Sequence, residues 1–149
     1  MTLNECITAF SDYVSANDTL LKEFHYCEPW EIEGNLKPGT LYPLLIVNCE
    51  STTVTDNTIL RSFRFMVMDI VSKDKSNEND VLSDTEFALT WLINDIKCDR
   101  PNNPAGFDEM TVIGDPVIEQ FKEEFGDWCA GWSGVVTIET NNINNPCFE

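Results

Sequence analysis

The chain has 149 residues, 42% of them apolar, and carries 26 acidic against 9 basic side chains for a net charge of −17. That length and apolar content suit one globular domain spanning 1–149 rather than a disordered chain. Binding to bare nucleic acid or to an anionic membrane surface needs cations that this composition lacks.

Thr2 with Glu5 forms a capping box ahead of Leu3, Ile7, Phe10 and Val14 at helical spacing, which predicts a helix over about 3–15. The opening residues Met1 to Cys6 have no basic start followed by an apolar run, so no export signal is expected. The six cysteines (Cys6, Cys27, Cys49, Cys98, Cys129 and Cys147) are therefore expected as free thiols, and no CxxC pair suggests a metal ribbon. No run of apolar residues is long enough to span a membrane.

After a break at Ser15–Asp18, Thr19 to Glu23 reads as a short helical turn, and Phe24–Cys27 as a first strand ended by Glu28-Pro29-Trp30. Lys37-Pro38-Gly39-Thr40 carries turn chemistry. A second strand is expected over Leu41–Asn48 with Pro43 at its start, followed by a polar loop over Glu50–Asn57. Ile59–Ser72 is the strongest strand. Phe63, Phe65, Val67 and Val71 share one face and Leu60, Met66, Met68 and Ile70 the other, which predicts a central strand covered on both sides or by a partner chain.

Lys73–Asp80 resembles a calcium loop only loosely, since Asn79 and Thr85 stand where that pattern needs Gly and an acid. It reads as a solvated turn before a helix over Val81–Lys97, capped by Asp80 or Ser83, with Leu82, Leu89, Leu92, Ile93 and Ile96 buried. Trp91 belongs either to the core or to an interface. An irregular loop over Asp99–Asp108 and a short strand from Met110 to Ile113 follow, interrupted by Gly114. A hairpin over 116–139 then pairs Asp115–Phe121 with the β-branched run Val135–Ile138. Phe125, Trp128 and Trp132 form an aromatic elbow that either closes the core or docks on a neighbouring subunit. The order α-β-β-β-α-β-β predicts an α+β domain: a mostly antiparallel central sheet flanked by two helices, with a C-terminal hairpin.

No catalytic constellation emerges. The single histidine, His25, shares a strand face with Cys27, and two ligands do not make a metal site. Glu123-Glu124, Asp108-Glu109 and Asp84 with Glu86 are expected as solvated acids, and Asp69 as an end-of-strand residue taking a loop hydrogen bond. No catalytic residue, cofactor or metal is predicted. The interface candidates are Trp128, Trp132, Phe125 and Trp91.

The order of elements, the strand entry Ala130-Gly131-Trp132-Ser133 and the tail Asn145-Pro146-Cys147 carry a resemblance. The chain resembles small neck or tail-completion proteins of tailed bacteriophages, most of all forms from phages of gut Bacteroidetes, the crAss-like group included. These are similar in fold to tail terminators. The resemblance implies a virion structural protein forming a homo-oligomeric ring on the portal or tail axis. Its partners would be itself, the portal and adjacent ring or tail proteins. It would assemble in the host cytoplasm, and DNA would pass through without specific binding. The alternative reading of the same acidity is a DNA mimic that inhibits a host nucleic-acid enzyme.

Overall fold

A capping box opens the first helix as expected. The Glu5 amide donates to the Thr2 hydroxyl at 3.2 Å, the Thr2 amide donates to the Glu5 carboxylate at 2.8 Å, and α1 runs Leu3–Ala16. A computed structural model describes residues 1–28, 41–98, 103–124 and 128–142. The predicted turn at 37–40 and the tail beyond Asn142 lie outside the described residues, as do Phe125 and the tip of the predicted hairpin.

The remaining elements are β1 (Glu23–Tyr26), β2 (Leu44–Val54), β3 (Thr58–Ile70), α2 (Glu78–Cys98), a 3-10 turn (Phe107–Glu109), β4 (Thr111–Ile113), β5 (Ile118–Glu124) and β6 (Trp128–Asn141). They form one mixed sheet in the order β1-β2-β3-β6-β4, with β5 on the same side of β6 as β4. β1 runs parallel to β2, and every other described pairing is antiparallel. The expected α+β class therefore holds, with one parallel pair added.

β4 and β5 act as one edge strand broken at Gly114, whose φ of +75° lies in the left-handed region that glycine reaches without strain. Ile113 opposes Thr137 while Ile118 opposes Gly134, so five steps on this strand span three on β6 and the edge bulges.

Both helices cover the same face of the sheet. Phe10, Tyr13 and Val14 of α1 and Leu89, Leu92 and Ile96 of α2 share one cluster with Leu45, Val47, Phe63, Phe65, Val67, Val136 and Ile138. Phe10 sits at its centre, edge-on to Phe63 and Phe65 with ring centroids 5.2 and 5.1 Å away. The opposite face holds a smaller cluster of Cys27, Leu44, Ile46, Met66, Met68 and Cys129, to which neither helix contributes. β3 is thus central in the sheet, but its two faces differ. Phe63, Phe65 and Val67 are buried under the helices, while of Leu60, Met66, Met68 and Ile70 on the other face only Met66 and Met68 are buried and Ile70 is 41% exposed.

Several boundaries differ from expectation, each for a local reason. β2 continues to Val54, through more than half of the segment expected as a polar loop. Thr52, Thr53 and Val54 are exposed, so polarity hides a run whose β-branched residues still pair with Arg61, Leu60 and Ile59. A two-residue turn, Asp56-Asn57, closes that hairpin, with the Thr55 amide donating to the Thr58 carbonyl at 2.9 Å. α2 begins at Glu78, so Asp80 and Ser83 lie within the helix rather than capping it. Residues 17–20 make a turn and the chain enters β1 at Glu23, in place of the short helical turn expected over Thr19–Glu23. β6 has 14 residues rather than the few of Val135–Ile138, because Gly131 and Gly134 extend a strand here instead of interrupting it.

Candidate interaction surfaces

β6 organises the surfaces because three strands pair with it: β3 along one side, β5 and β4 along the other. Gly131 makes the close pairing with β3 possible. A Cβ there would lie 1.8 Å from the Val67 carbonyl oxygen and 2.9 Å from the Met68 Cα. Only a residue with no side chain fits that approach.

The predicted aromatic interface resolves into separate parts. Trp132 turns inward. Its indole N–H donates to the Leu82 carbonyl at 2.8 Å, and its half-buried ring packs against the main core. Trp132 therefore ties the first turns of α2 to β6; an indole between strand and helix buries part of its ring and still finds an acceptor. Trp128 lies at the start of β6 opposite Glu124, and its side chain lies outside what is described. Trp91 also packs half-buried against the core. Its ring stacks on Phe87 with centroids 5.5 Å apart and an interplanar angle of 26°. Phe87, 54% exposed, is the outward member of this pair and is not among the interface candidates that the sequence offers. Its spacing of four residues from Trp91 is the signal that finds it.

Three of the nine cations, Arg61, Arg64 and Lys122, are engaged in internal contacts. Arg61, buried, donates to the Met1 carbonyl at 3.0 Å and the Thr140 hydroxyl at 3.2 Å, fastening the chain's start to the sheet. Its other close neighbour is the Cys6 sulfur at 3.7 Å. Burial pushes the Cys6 thiol above its ordinary pKa despite that guanidinium, so it is an unreactive core thiol. Arg64 pairs with Glu50 and donates to the Ser133 hydroxyl at 3.1 Å. Lys122 pairs with Glu78, and the hydrogen bond holds that carboxyl below its usual range. A phosphate-binding patch built from these three side chains would require breaking contacts they already make.

Asp69 takes a local hydrogen bond near the end of β3, as expected. Asp69 accepts the Ile70 amide at 2.7 Å; half-burial raises its pKa, that hydrogen bond lowers it, and nearby Asp84 raises it again. In the loop before α2, Asp74 accepts from the Ser72 hydroxyl at 2.8 Å and the Ser76 amide at 3.1 Å. The Ser76 amide above all, with the serine hydroxyls, pulls its carboxyl to about 2. Both bonds reach Oδ1, which closes the turn on itself. His25 lies 3.1 Å from Glu23 on β1, and among the described residues no group of three His, Cys, Asp or Glu side chains is placed to hold a metal.

A cleft of about 550 Å³ opens beside α1, bordered by Glu5, Asp12 and Glu109. Its size suits a small ligand. Its charge comes from these carboxylates, and Glu5 is already engaged in the helix cap. No helix among the described residues is long and apolar enough to cross a membrane.

What distinguishes the surface is the pair of sheet edges. β1 borders β2 only over Leu44–Val47, leaving Ser51–Val54 exposed at the end of one edge. β4 lines the opposite edge at the same level, with Thr111 and Ile113 exposed. No protein-family model matches the chain, and no curated protein matches it.

Proposed function

We propose that this protein is a structural subunit of a closed ring of identical copies in the neck or tail of a tailed bacteriophage, part of the conduit through which DNA passes. The observation that supports this reading is the sheet's two unlike open edges. One is the end of a long hairpin strand and the other a short, bulged strand. Rings form when a patch on one copy meets a different patch on the next and the rotation closes. A sheet with identical edges would favour two-fold pairs instead.

The charge fits a conduit. With a net charge of −17 per copy, a ring would present a wall that phosphates slide past without binding. The described arginines are engaged in internal contacts, which keeps them from gripping a backbone. The protein's role in this reading is mechanical, with no catalytic step.

The test is its place in particles. Quantitative mass spectrometry of purified virions should find the chain at a fixed copy number relative to the portal, and cryo-electron microscopy should place it at the neck or tail axis. A chain absent from particles and monomeric when purified would reject the reading. It would favour the acidic inhibitor, which must then co-purify with a host nucleic-acid enzyme.

A further inference from the structure

We infer that copies of this chain join by sheet extension, with the Ser51–Val54 end of β2 in one copy pairing antiparallel with β4 of the next. The inference rests on the ring reading only in requiring that identical copies meet; it does not require a phage.

The backbone supplies the first argument. In an antiparallel pair, opposed residues alternate between bonded and non-bonded positions. The Thr55 amide donates to the Thr58 carbonyl across the hairpin, so Thr55 is a bonded position. Alternation then turns the N–H and C=O of Thr52 and Val54 away from β3, outward from the sheet. Carrying the alternation through the register Ile59↔Thr140 and Thr111↔Glu139 turns Thr111 and Ile113 toward β6 and leaves Val112 facing outward on the far edge. Both edges therefore present backbone donors and acceptors at the same level.

Direction and facing agree as well. β2, β3, β6 and β4 alternate in direction, so β2 and β4 are antiparallel within one copy. A neighbour related head to tail keeps that sense, and its β4 meets β2 as an antiparallel partner. Thr52 opposes Arg61 and Val112 opposes Ile138, placing both outward-bonding residues on the helix-bearing face. Pairing them continues the sheet with the helices of each copy on the same side.

The side chains supply the third argument. Edges that must stay apart carry charge, proline or a cover. Ser51–Val54 and Thr111–Ile113 contain neither charge nor proline in a chain with 26 acids. Val54 is 69% exposed, Ile113 42% and Val117, beside β4 in the bulge, 73%. Val54 and Ile113, two of the large exposed apolar residues, thus lie on these two edges, where pairing would cover them.

Edge substitutions in the full-length protein test this by native mass spectrometry and sedimentation velocity. The wild type is expected to form assemblies larger than a dimer. Val54→Lys disables the β2 edge and Ile113→Lys the β4 edge, with Thr111→Lys as a second β4-edge variant. Each is expected to be monomeric with an unchanged circular dichroism spectrum, because the positions are exposed. Mixing Val54→Lys with Ile113→Lys leaves one intact edge on each, so the mixture should form a one-to-one pair and nothing larger. A wild type that stays monomeric, a variant that assembles normally, or a mixture that stays monomeric would each overturn the inference. Dimers from Ile113→Lys alone would replace it with two-fold pairing of β2 on β2. If the wild type forms rings that none of the substitutions disturbs, the edges are wrong and the ring reading stands.

Discussion

Removing Trp132 should loosen the whole fold rather than one surface. The side chain contributes in two separable ways. Its N–H donates to the Leu82 carbonyl at 2.8 Å, and its ring packs on the main core between β6 and α2. Trp132→Phe removes the hydrogen bond and keeps most of the ring. Because Leu82 lies in α2, its carbonyl retains a helical acceptor role, so the cost should be about 1 kcal/mol. Trp132→Ala also removes the ring. Full burial of an aromatic costs about 3–5 kcal/mol on truncation, and half-burial here reduces the expectation to about 2–3 kcal/mol. Urea unfolding followed by far-ultraviolet circular dichroism measures both. With a slope of about 2 kcal/mol per molar urea, the alanine midpoint should fall by about 1 M and the phenylalanine midpoint by about half that. Equal losses in the two variants would show that the ring contributes nothing. An unchanged midpoint in Trp132→Ala would refute the assignment of Trp132 as the tie between strand and helix.

Gly131→Ala should cost about 3 kcal/mol or more, because its Cβ would overlap the Val67 carbonyl at 1.8 Å and force β3 and β6 apart; urea unfolding of the variant checks this. Asp69 gives a pH dependence of fixed sign. Burial raises its folded pKa above the ordinary 3.8, so the folded state holds the proton more tightly and ionisation opposes folding. The penalty is absent below 3.8 and grows as pH rises through the folded value. Asp69→Asn should therefore raise the urea midpoint at pH 7 relative to the wild type, with the difference closing toward pH 3.5; a lower midpoint at pH 7 would contradict the burial argument. Among Cys6, Cys27, Cys49, Cys98 and Cys129, only Cys98 is exposed, so a thiol reagent followed by peptide mapping should label it first and leave Cys6 and Cys129 protected until the chain unfolds.

Periodicity alone determined the parts that depend on burial against one dominant face. The α1 capping box, the stripe of Leu89, Leu92, Ile93 and Ile96 and the helix-side face of β3 are local signals, and these are realised; Leu82 is only half-buried, and on the far face of β3 Ile70 is exposed. The same reading fell short wherever a partner strand, not a residue's own polarity, decides the conformation. Thr52–Val54 look like loop because they face solvent, yet β3 supplies the hydrogen bonds that make them strand. Phe107 sits in an irregular, proline-bearing segment, and only packing against Phe10 and Tyr13 reveals it as core. Trp132 was legible as important but not in its direction. Alternation gives a strand residue one of two faces, and which face meets a helix is fixed only when α1 and α2 settle on the same side of the sheet. The candidate joining edges lie beyond sequence for the same reason. A run of β-branched residues reads alike at the centre and the border of a sheet, and only the strand order shows which hydrogen-bonding groups the fold leaves unpaired.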